Sequence, residues 1–131
     1  MSDNVNSPAH YARNGLQPID VIEDWRLSFN VGNALKYIMR AGHKDKSKLN
    51  EDYDKAIFYL KRSIKNFDRE STNVRGRTIA INEVLFSWKD LSAKILQAVE
   101  IIYFLNGHIS LYGYEQDATY AVQLIEESKS T

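Results

Sequence analysis

The stretch LNEDYDKAIFYLKRSIKNF, residues 49–67, carries the strongest structural signal in the sequence. Apolar side chains recur there three or four residues apart, which places them on one face of an α-helix. They are Leu49, Tyr53, Ala56, Ile57, Leu60, Ile64 and Phe67. The acids lie near the start of the stretch and the bases near its end, as the helix dipole favours. We therefore predict one long helix over about residues 50–70.

Shorter helical patterns lie on both sides of this stretch. Helical spacing predicts four more helices, over residues 19–27, 31–41, 91–105 and 117–128. Ser28 or Asn30 is suited to cap the second of these helices.

The stretch of residues 77–88 is ambiguous. Its β-branched residues favour a strand, whereas Asn82 followed by Glu83 favours the start of a helix. Either structure is compatible with the rest of the chain.

The chain is expected to form a single all-α domain, a compact bundle of four to five helices. An irregular N-terminal arm, residues 1–18, contains both prolines and Gly15. One short strand or hairpin near residues 77–88 is the alternative for that stretch. Residues 19–70 form the first helical part, and residues 77–131 form a second part with a role in oligomerisation.

The composition of the chain limits which classes of partner it can bind. The chain has 131 residues, a formal net charge of zero and no cysteine, so bulk attraction to nucleic acid or to an anionic membrane is not expected. The N-terminus lacks the pattern of a secretion signal, and the longest apolar run is too short to cross a bilayer. We expect a cytoplasmic protein with neither a membrane nor a specific nucleic acid as its partner.

A polar stripe on the second predicted helix indicates an anion site. Asn33, Lys36, Tyr37 and Arg40 share one helix face, and Asp45 is the only acid from residue 26 to residue 48. Arg40 can bind a phosphate bidentately, and Lys36 adds a point charge. Asn33 can contact a base or sugar edge, and Tyr37 can stack. The alternative is an ordinary solvated helix face.

Other polar residues extend this hypothesis. His10 can move a proton and Tyr11 can stack on a base, unless the arm that carries them is simply exposed. Further ligand-binding candidates are Lys44 in the lysine-rich loop and Lys55, Tyr59 and Arg62 on the long helix. For the acids near Lys55, an intrahelical charge pattern such as Glu51 with Lys55 is the favoured interpretation.

Standard catalytic motifs do not occur in the sequence. GxxxxGK[ST], GxGxxG, GxSxG and HExxH are all missing, and the three histidines lack metal-ligand spacing. We predict no protein metal site. Glu51 and Asp54 form one ExxD, which resembles half of the Mg²⁺ site of MazG-like nucleotide pyrophosphohydrolases, but the companion ExxE is missing.

Three segments carry a family resemblance: VNSPAHYARNGLQPIDVIEDW (5–25), NVGNALKYIMRAGHKDK (30–46) and EDYDKAIFYLKRSI (51–64). In this order they resemble the SaV-like family of small bacteriophage proteins, over about residues 5–65. That family includes the T7-type phage nucleotide kinase, which has no P-loop and phosphorylates deoxynucleoside monophosphates. Its pattern falls on His10, Tyr11, Gly32, Asn33, Lys36, Tyr37, Arg40, Gly42, Lys44, Asp52, Lys55 and Tyr59.

The resemblance and the stripe together predict a phage nucleotide-binding protein, in the first instance a P-loop-less (deoxy)nucleoside monophosphate kinase. Arg40 and Lys36 would stabilise the transferred phosphoryl group and His10 would handle the proton, which makes His10 and Arg40 the catalytic candidates. No cofactor is predicted beyond Mg²⁺ carried by the bound nucleotide.

Three alternatives stay open. One is a non-catalytic sponge that sequesters nucleotide-derived immune signals of host anti-phage defence, such as cyclic nucleotides or ADP-ribose derivatives. The others are a MazG-like pyrophosphohydrolase and a protein-binding phage effector. For each of them we expect a homo-oligomer, because residues 91–105 are apolar on almost every side and a tyrosine-rich segment follows.

Overall fold

Six α-helices follow one another along the chain in the computed structural model, which describes residues 15–41, 45–67 and 74–130. They are α1 (Pro18–Trp25), α2 (Phe29–Arg40), α3 (Leu49–Lys65), α4 (Ile81–Ser87), α5 (Ala93–Leu105) and α6 (Leu111–Glu127). A 3₁₀ turn, Lys46–Lys48, leads into α3. The prediction of an all-α fold is confirmed, although the count exceeds the predicted four to five helices. Residues 1–14 of the predicted arm lie outside the described residues.

The helices pack in pairs around one apolar core. The most extensive contacts join α2 with α3, α5 with α6, and α3 with α6. The apolar face of α2 is fully buried, and so are Ala56 and Leu60 on the facing side of α3. Trp25 and Trp88 are the largest side chains in this core. Burial of these faces supplies the main free energy that stabilises the bundle.

The start of α2 is capped by one of the two residues that the sequence suggested. The hydroxyl of Ser28 accepts a hydrogen bond from the backbone N–H of Val31 at 3.2 Å, so Ser28 is the cap. Gly32 is buried where α1 and α2 approach each other, and a Cβ at this position would lie 3.1 Å from Cγ2 of Ile22. A side chain there would therefore push the two helices apart.

The stretch near residues 77–88 forms helix α4, and no strand or hairpin occurs among the described residues. Residues 77–79 are bonded to α1 instead of to a neighbouring strand. Asp24 accepts hydrogen bonds from the N–H groups of Thr78 and Ile79, and the indole of Trp25 donates to the Ile79 carbonyl at 2.8 Å. The helical interpretation of residues 81–87 was therefore correct.

Arg77 links three parts of the fold. Its guanidinium donates to the carbonyl of Trp25 at the end of α1 (3.1 Å) and to that of Tyr103 in α5 (2.6 Å). It also lies 4.7 Å from the centre of the Tyr103 ring. Burial lowers the pKa of Arg77, although hydrogen bonding to Tyr103 opposes that effect. The side chain holds the segment before α4 against both neighbouring helices.

Two predicted boundaries were wrong. The long helix ends at Lys65 and not near residue 70. The last helix begins at Leu111, six residues before the predicted start, and Ser110 caps it by accepting from the N–H of Gly113. Residues 111–116, which the predicted helix left out, therefore form the first turns of α6.

Helix α5 lies inside the bundle of a single chain. Its buried side chains face α6, α4 and α2, and they are Ile95, Ala98, Val99, Ile102 and Leu105. Packing within one chain thus explains the apolar character of these five residues without a second subunit. Within the described ranges, no helix combines the length and apolar character needed to cross a membrane.

Candidate functional site

A charged cavity of about 610 Å³ lies where α2 ends and α3 begins. Helices α2 and α3 are antiparallel neighbours, so the last turn of α2 lies beside the first two turns of α3. Among the described residues, every side chain that lines the cavity is ionisable. They are Arg40, Asp45, Lys46, Lys48, Glu51, Asp52 and Lys55. The cavity therefore suits a ligand that is itself charged.

Tyr37 brings cations from both helices together. The ammonium group of Lys36 lies 4.7 Å from the centre of its ring, that of Lys55 lies 5.3 Å away, and the guanidinium of Arg40 lies 5.7 Å away. The electron-rich face of the ring attracts each cation and offsets part of their mutual repulsion. Three residues of the predicted stripe thus meet Lys55 at one place.

Aromatic rings continue from Tyr37 along the same surface. The ring of Tyr59 is parallel to that of Tyr37, with centres 6.1 Å apart. Phe29 and Phe58 meet Tyr59 edge to face, with centres 6.0 Å and 5.2 Å away. The predicted ligand residues Tyr37, Lys55 and Tyr59 are therefore neighbours.

Carboxylates share the cavity with the bases. Glu51 pairs with Lys48 and with Lys55, each at 3.3 Å, and these contacts lower its pKa. Hydrogen bonds from the hydroxyl and the N–H of Ser47 lower the pKa of Asp45. Both groups are therefore anionic near neutral pH. The intrahelical pair of Glu51 with Lys55, which the sequence predicted, is present.

Asp52 differs from these two acids in its burial. It is only 5% exposed, although it lines the cavity. A carboxylate in such a position is costly to desolvate and is usually retained together with hydrogen-bonding or cationic partners. The interpretation of the acids as part of a plain helical charge pattern missed Asp52 as a lining residue.

Of the described ligand-binding candidates, only Arg40 and Lys55 line the cavity. Lys36, Tyr37 and Tyr59 belong to the ring contacts beside it, and two further candidates, Asn33 and Arg62, take part in neither. The amide group of Asn33 donates to the backbone carbonyl of Phe29 at 2.9 Å, which occupies it within its own helix. Arg62 is exposed on α3 and is not among the lining residues. His10, Tyr11 and Lys44 lie outside the described residues.

The ExxD pair does not converge on one point. Glu51 lines the cavity, but Asp54 pairs with Lys129 near the end of α6. Across the described part of the chain, no three histidine, aspartate or glutamate side chains lie close enough together to hold a metal ion.

Residues at the C-terminal end of the described chain hold the first turn of α3 in place. Asn50 and Ser130 exchange two hydrogen bonds, since the Asn50 amide donates to the Ser130 carbonyl and the Ser130 N–H donates to the Asn50 side-chain oxygen, each at 2.9 Å. Lys129 adds an ion pair with Asp54 and another with Glu126. These contacts fix the turn that carries Glu51 and Asp52.

Several residues at this site were not selected as ligand-binding candidates from the sequence. The lining residues Asp45, Lys46, Lys48 and Glu51 belong to the loop and first turn that join two predicted helices. The lysine content of that loop was the usable signal. Phe58 lies outside the apolar repeat of α3, and this departure from the pattern marks it as a surface residue.

A family model described as a protein of unknown function, DUF3310, matches residues 5–61. The matched segment includes α1, α2 and most of α3, so it contains the helices that form the cavity. No curated protein and no solved structure matches the chain. The DUF3310 family has no assigned function, and the relationship to the SaV-like family stays a prediction.

Proposed function

We propose that this protein binds nucleotides in the charged cavity and transfers the terminal phosphoryl group of a nucleoside triphosphate to a (deoxy)nucleoside monophosphate, so that each nucleotide leaves as a diphosphate. The observation that supports it is the convergence of Arg40, three lysines and buried Asp52 on one cavity of about 610 Å³. Phosphate groups are the small anions that such an arrangement binds best.

The cations have separable roles in this proposal. Arg40 presents a planar guanidinium that can bind two phosphate oxygens at once. Lys36 and Lys55, whose ammonium groups lie 4.7 Å and 5.3 Å from the centre of the same Tyr37 ring, supply charge that stabilises the phosphoryl group during transfer. Because Tyr37 already holds these groups close together, little reorganisation is needed when phosphates enter.

The acids of the cavity support a reaction over simple binding. The polar stripe of α2 carries no carboxylate, but Glu51 and Asp52 of α3 line the same cavity as Arg40. Carboxylate oxygens are the ligands that Mg²⁺ prefers. Mg²⁺ bound with a nucleotide would neutralise phosphate charge, and Asp52 would be the carboxylate to hold it, because both oxygens of Glu51 are already paired with lysines.

A second candidate function is sequestration of a nucleotide-derived signal without chemistry. The observation in its favour is that both oxygens of Glu51 are engaged by lysines, which reduces the carboxylate available to a metal ion. The cavity would then hold cyclic nucleotides or ADP-ribose derivatives of host defence. The phage context of this candidate comes from the family resemblance.

The pyrophosphohydrolase alternative is less well supported. It would use Glu51 and Asp54 together on one metal ion, and Asp54 pairs with Lys129 instead.

One experiment tests the proposal directly. The purified protein is incubated with deoxynucleoside mono- and triphosphates, cyclic nucleotides and cyclic ADP-ribose isomers, with and without Mg²⁺, and every nucleotide is identified by mass after denaturation. Conversion of a monophosphate to its diphosphate supports the kinase. A ligand recovered unchanged only after denaturation supports sequestration, and an absence of both binding and turnover contradicts the proposal.

A further inference from the structure

Two phenylalanines stand exposed beside the charged cavity. Phe29 is 76% exposed and Phe58 is 56% exposed, and both contact Tyr59. A group of exposed aromatic side chains marks a binding surface, because contact of apolar rings with water is unfavourable and a bound ligand removes it. We propose that Phe29 and Phe58 form the platform on which the base of the nucleotide stacks. This inference rests on the proposed function and adds to it the way in which the base is recognised.

The positions of the two rings fit a single nucleotide. Phe58 follows Lys55 by three residues, which is about 4.5 Å along the axis of α3. Phe29 precedes Lys36 by seven residues, about 10.5 Å along α2. A ligand with phosphates beside Lys36 and Lys55 would therefore extend its sugar and base toward the aromatic platform. The cationic end and the aromatic end match the two ends of a nucleotide.

Tyr37, the stacking residue predicted from the sequence, is less suited to this role. Three cations lie over its ring, and the ring of Tyr59 runs parallel to it. Phe29 and Phe58 are the most exposed rings of this group, since Tyr37 and Tyr59 are both partly buried. Their edge-to-face contacts with Tyr59 hold both rings in a defined orientation without covering them.

The platform predicts tolerance for different bases. Phenylalanine rings carry no hydrogen-bond donor or acceptor, so they contact the flat face that every base has and not the edge that distinguishes one base from another. The ligand class is then a nucleoside phosphate with any of the four bases, and purines bind more tightly because they offer a larger face.

Titration calorimetry on the full chain tests this inference. The probes are the four deoxynucleoside monophosphates and deoxyribose 5-phosphate, which has the same sugar and phosphate but no base. Phe29→Ala and Phe58→Ala should each raise the Kd for all four nucleotides by about fivefold or more, and they should leave the Kd for deoxyribose 5-phosphate within about twofold. Phe29→Trp should restore nucleotide binding.

Phe86→Ala is the matched control, because Phe86 is 66% exposed on α4 and distant in sequence from the site. Unchanged nucleotide binding by both alanine variants would overturn the platform, and so would equal affinity for nucleotides and deoxyribose 5-phosphate. Binding of only one of the four nucleotides would contradict the predicted tolerance for different bases. If neither nucleotides nor deoxyribose 5-phosphate bind at all, the proposed function itself fails.

Discussion

Arg40 is the residue on which the nucleotide hypothesis depends most directly. It lines the cavity and lies 5.7 Å from the centre of the Tyr37 ring, where two lysines also approach. Arg40→Ala should weaken nucleotide binding by about 2 kcal/mol, close to a thirtyfold rise in Kd, because a bidentate phosphate contact is lost. Calorimetry measures the change, and an unaltered far-UV CD spectrum shows that the helices persist.

Arg62→Ala is the control for that variant. Arg62 carries the same charge on α3 but does not line the cavity, so its removal should change the Kd by less than about twofold. An equal loss of nucleotide affinity in both variants would show that the binding site extends along α3 to Arg62. An unchanged affinity in Arg40→Ala would show that Arg40 does not belong to the site.

Asn106 is a weak point of the core. It is 1% exposed at the end of α5, and neither its side-chain nitrogen nor its side-chain oxygen has a hydrogen-bond partner within the described ranges. An unsatisfied buried amide is destabilising, so Asn106→Leu, which has a similar shape, should raise the free energy of unfolding by about 1 kcal/mol. Urea unfolding monitored by CD measures the free energy of unfolding of both proteins. A loss of stability in Asn106→Leu would mean that the amide is satisfied in solution.

At the scale of elements, the contact between α1 and the segment before α4 is sensitive to pH. Partial burial alone would raise the pKa of Asp24, but hydrogen bonds from Thr78 and Ile79 and the charge of Arg77 outweigh it, so the pKa lies below the ordinary value of 3.8. The folded state therefore binds this proton less tightly than the unfolded chain does. The carboxylate stabilises the fold above pH 3.8, and this contribution is lost as the pH falls through the folded-state pKa.

Asp24→Asn tests this linkage. The free energy of unfolding of the wild type should exceed that of the variant near neutral pH, and the difference should shrink as the pH falls below 3.8. Urea unfolding at a series of pH values measures both proteins, with Glu115→Gln, at an exposed carboxylate, as the control. A difference that is the same at every pH would show that the ionised form of Asp24 has no special role.

The helices with clear periodicity could be predicted from the sequence alone. Helix α2 begins two residues before its predicted start, and Ser28 caps it. Helix α4 could not be assigned, because Ile79 and Ile81 suit a strand equally well. The residues just before α4 are instead bonded to Asp24, a residue that is distant in sequence.

The start of α6 depended on a contact that the sequence does not reveal. The ring of His108 lies beside Gly113, where a Cβ would come within 2.8 Å of the histidine Nδ1. Gly113 therefore makes room for His108 in the first turn of α6, although no helix was predicted before residue 117. His108 in turn contacts Asp117 one turn later, at 2.6 Å.

Only the part of the candidate site that lies on a single helix could be predicted from the sequence. One helical stripe contained Lys36, Tyr37 and Arg40, so their proximity followed from spacing alone. Whether Glu51 and Asp52 face solvent or the cavity depends on how α2 and α3 cross, and spacing carries no information about that crossing.

At the scale of the whole molecule, the apolar surface left for self-association is smaller than the sequence suggested. Helix α5 buries five of its thirteen residues within the chain, and the exposed apolar residues nearest to it lie at its end and around the turn into α6. They are Phe104, Ile109, Leu111 and Tyr112, and Ile109 is 93% exposed. A homo-oligomer stays our prediction, and this turn is the surface on which it would now depend.

Sedimentation equilibrium at micromolar concentration tests that prediction. The wild type should sediment as an oligomer, and Ile109→Glu should shift it toward the monomer, because a charge at the centre of an apolar contact is costly to desolvate. Since Ile109 is almost fully exposed in the single chain, the variant should keep its stability. A monomeric wild type would refute the oligomer.

The hydrogen bonds between Asp24 and Thr78 join residues 54 positions apart, and this separation has a consequence for the order of folding. Helices α2 and α3 are joined by a short connection, so they can pair early, whereas closing the larger loop costs more chain entropy. We expect α1 to dock against residues 77–79 only after the transition state. Asp24→Asn should then speed unfolding in stopped-flow experiments and leave the refolding rate unchanged; slower refolding would place this contact in the folding nucleus.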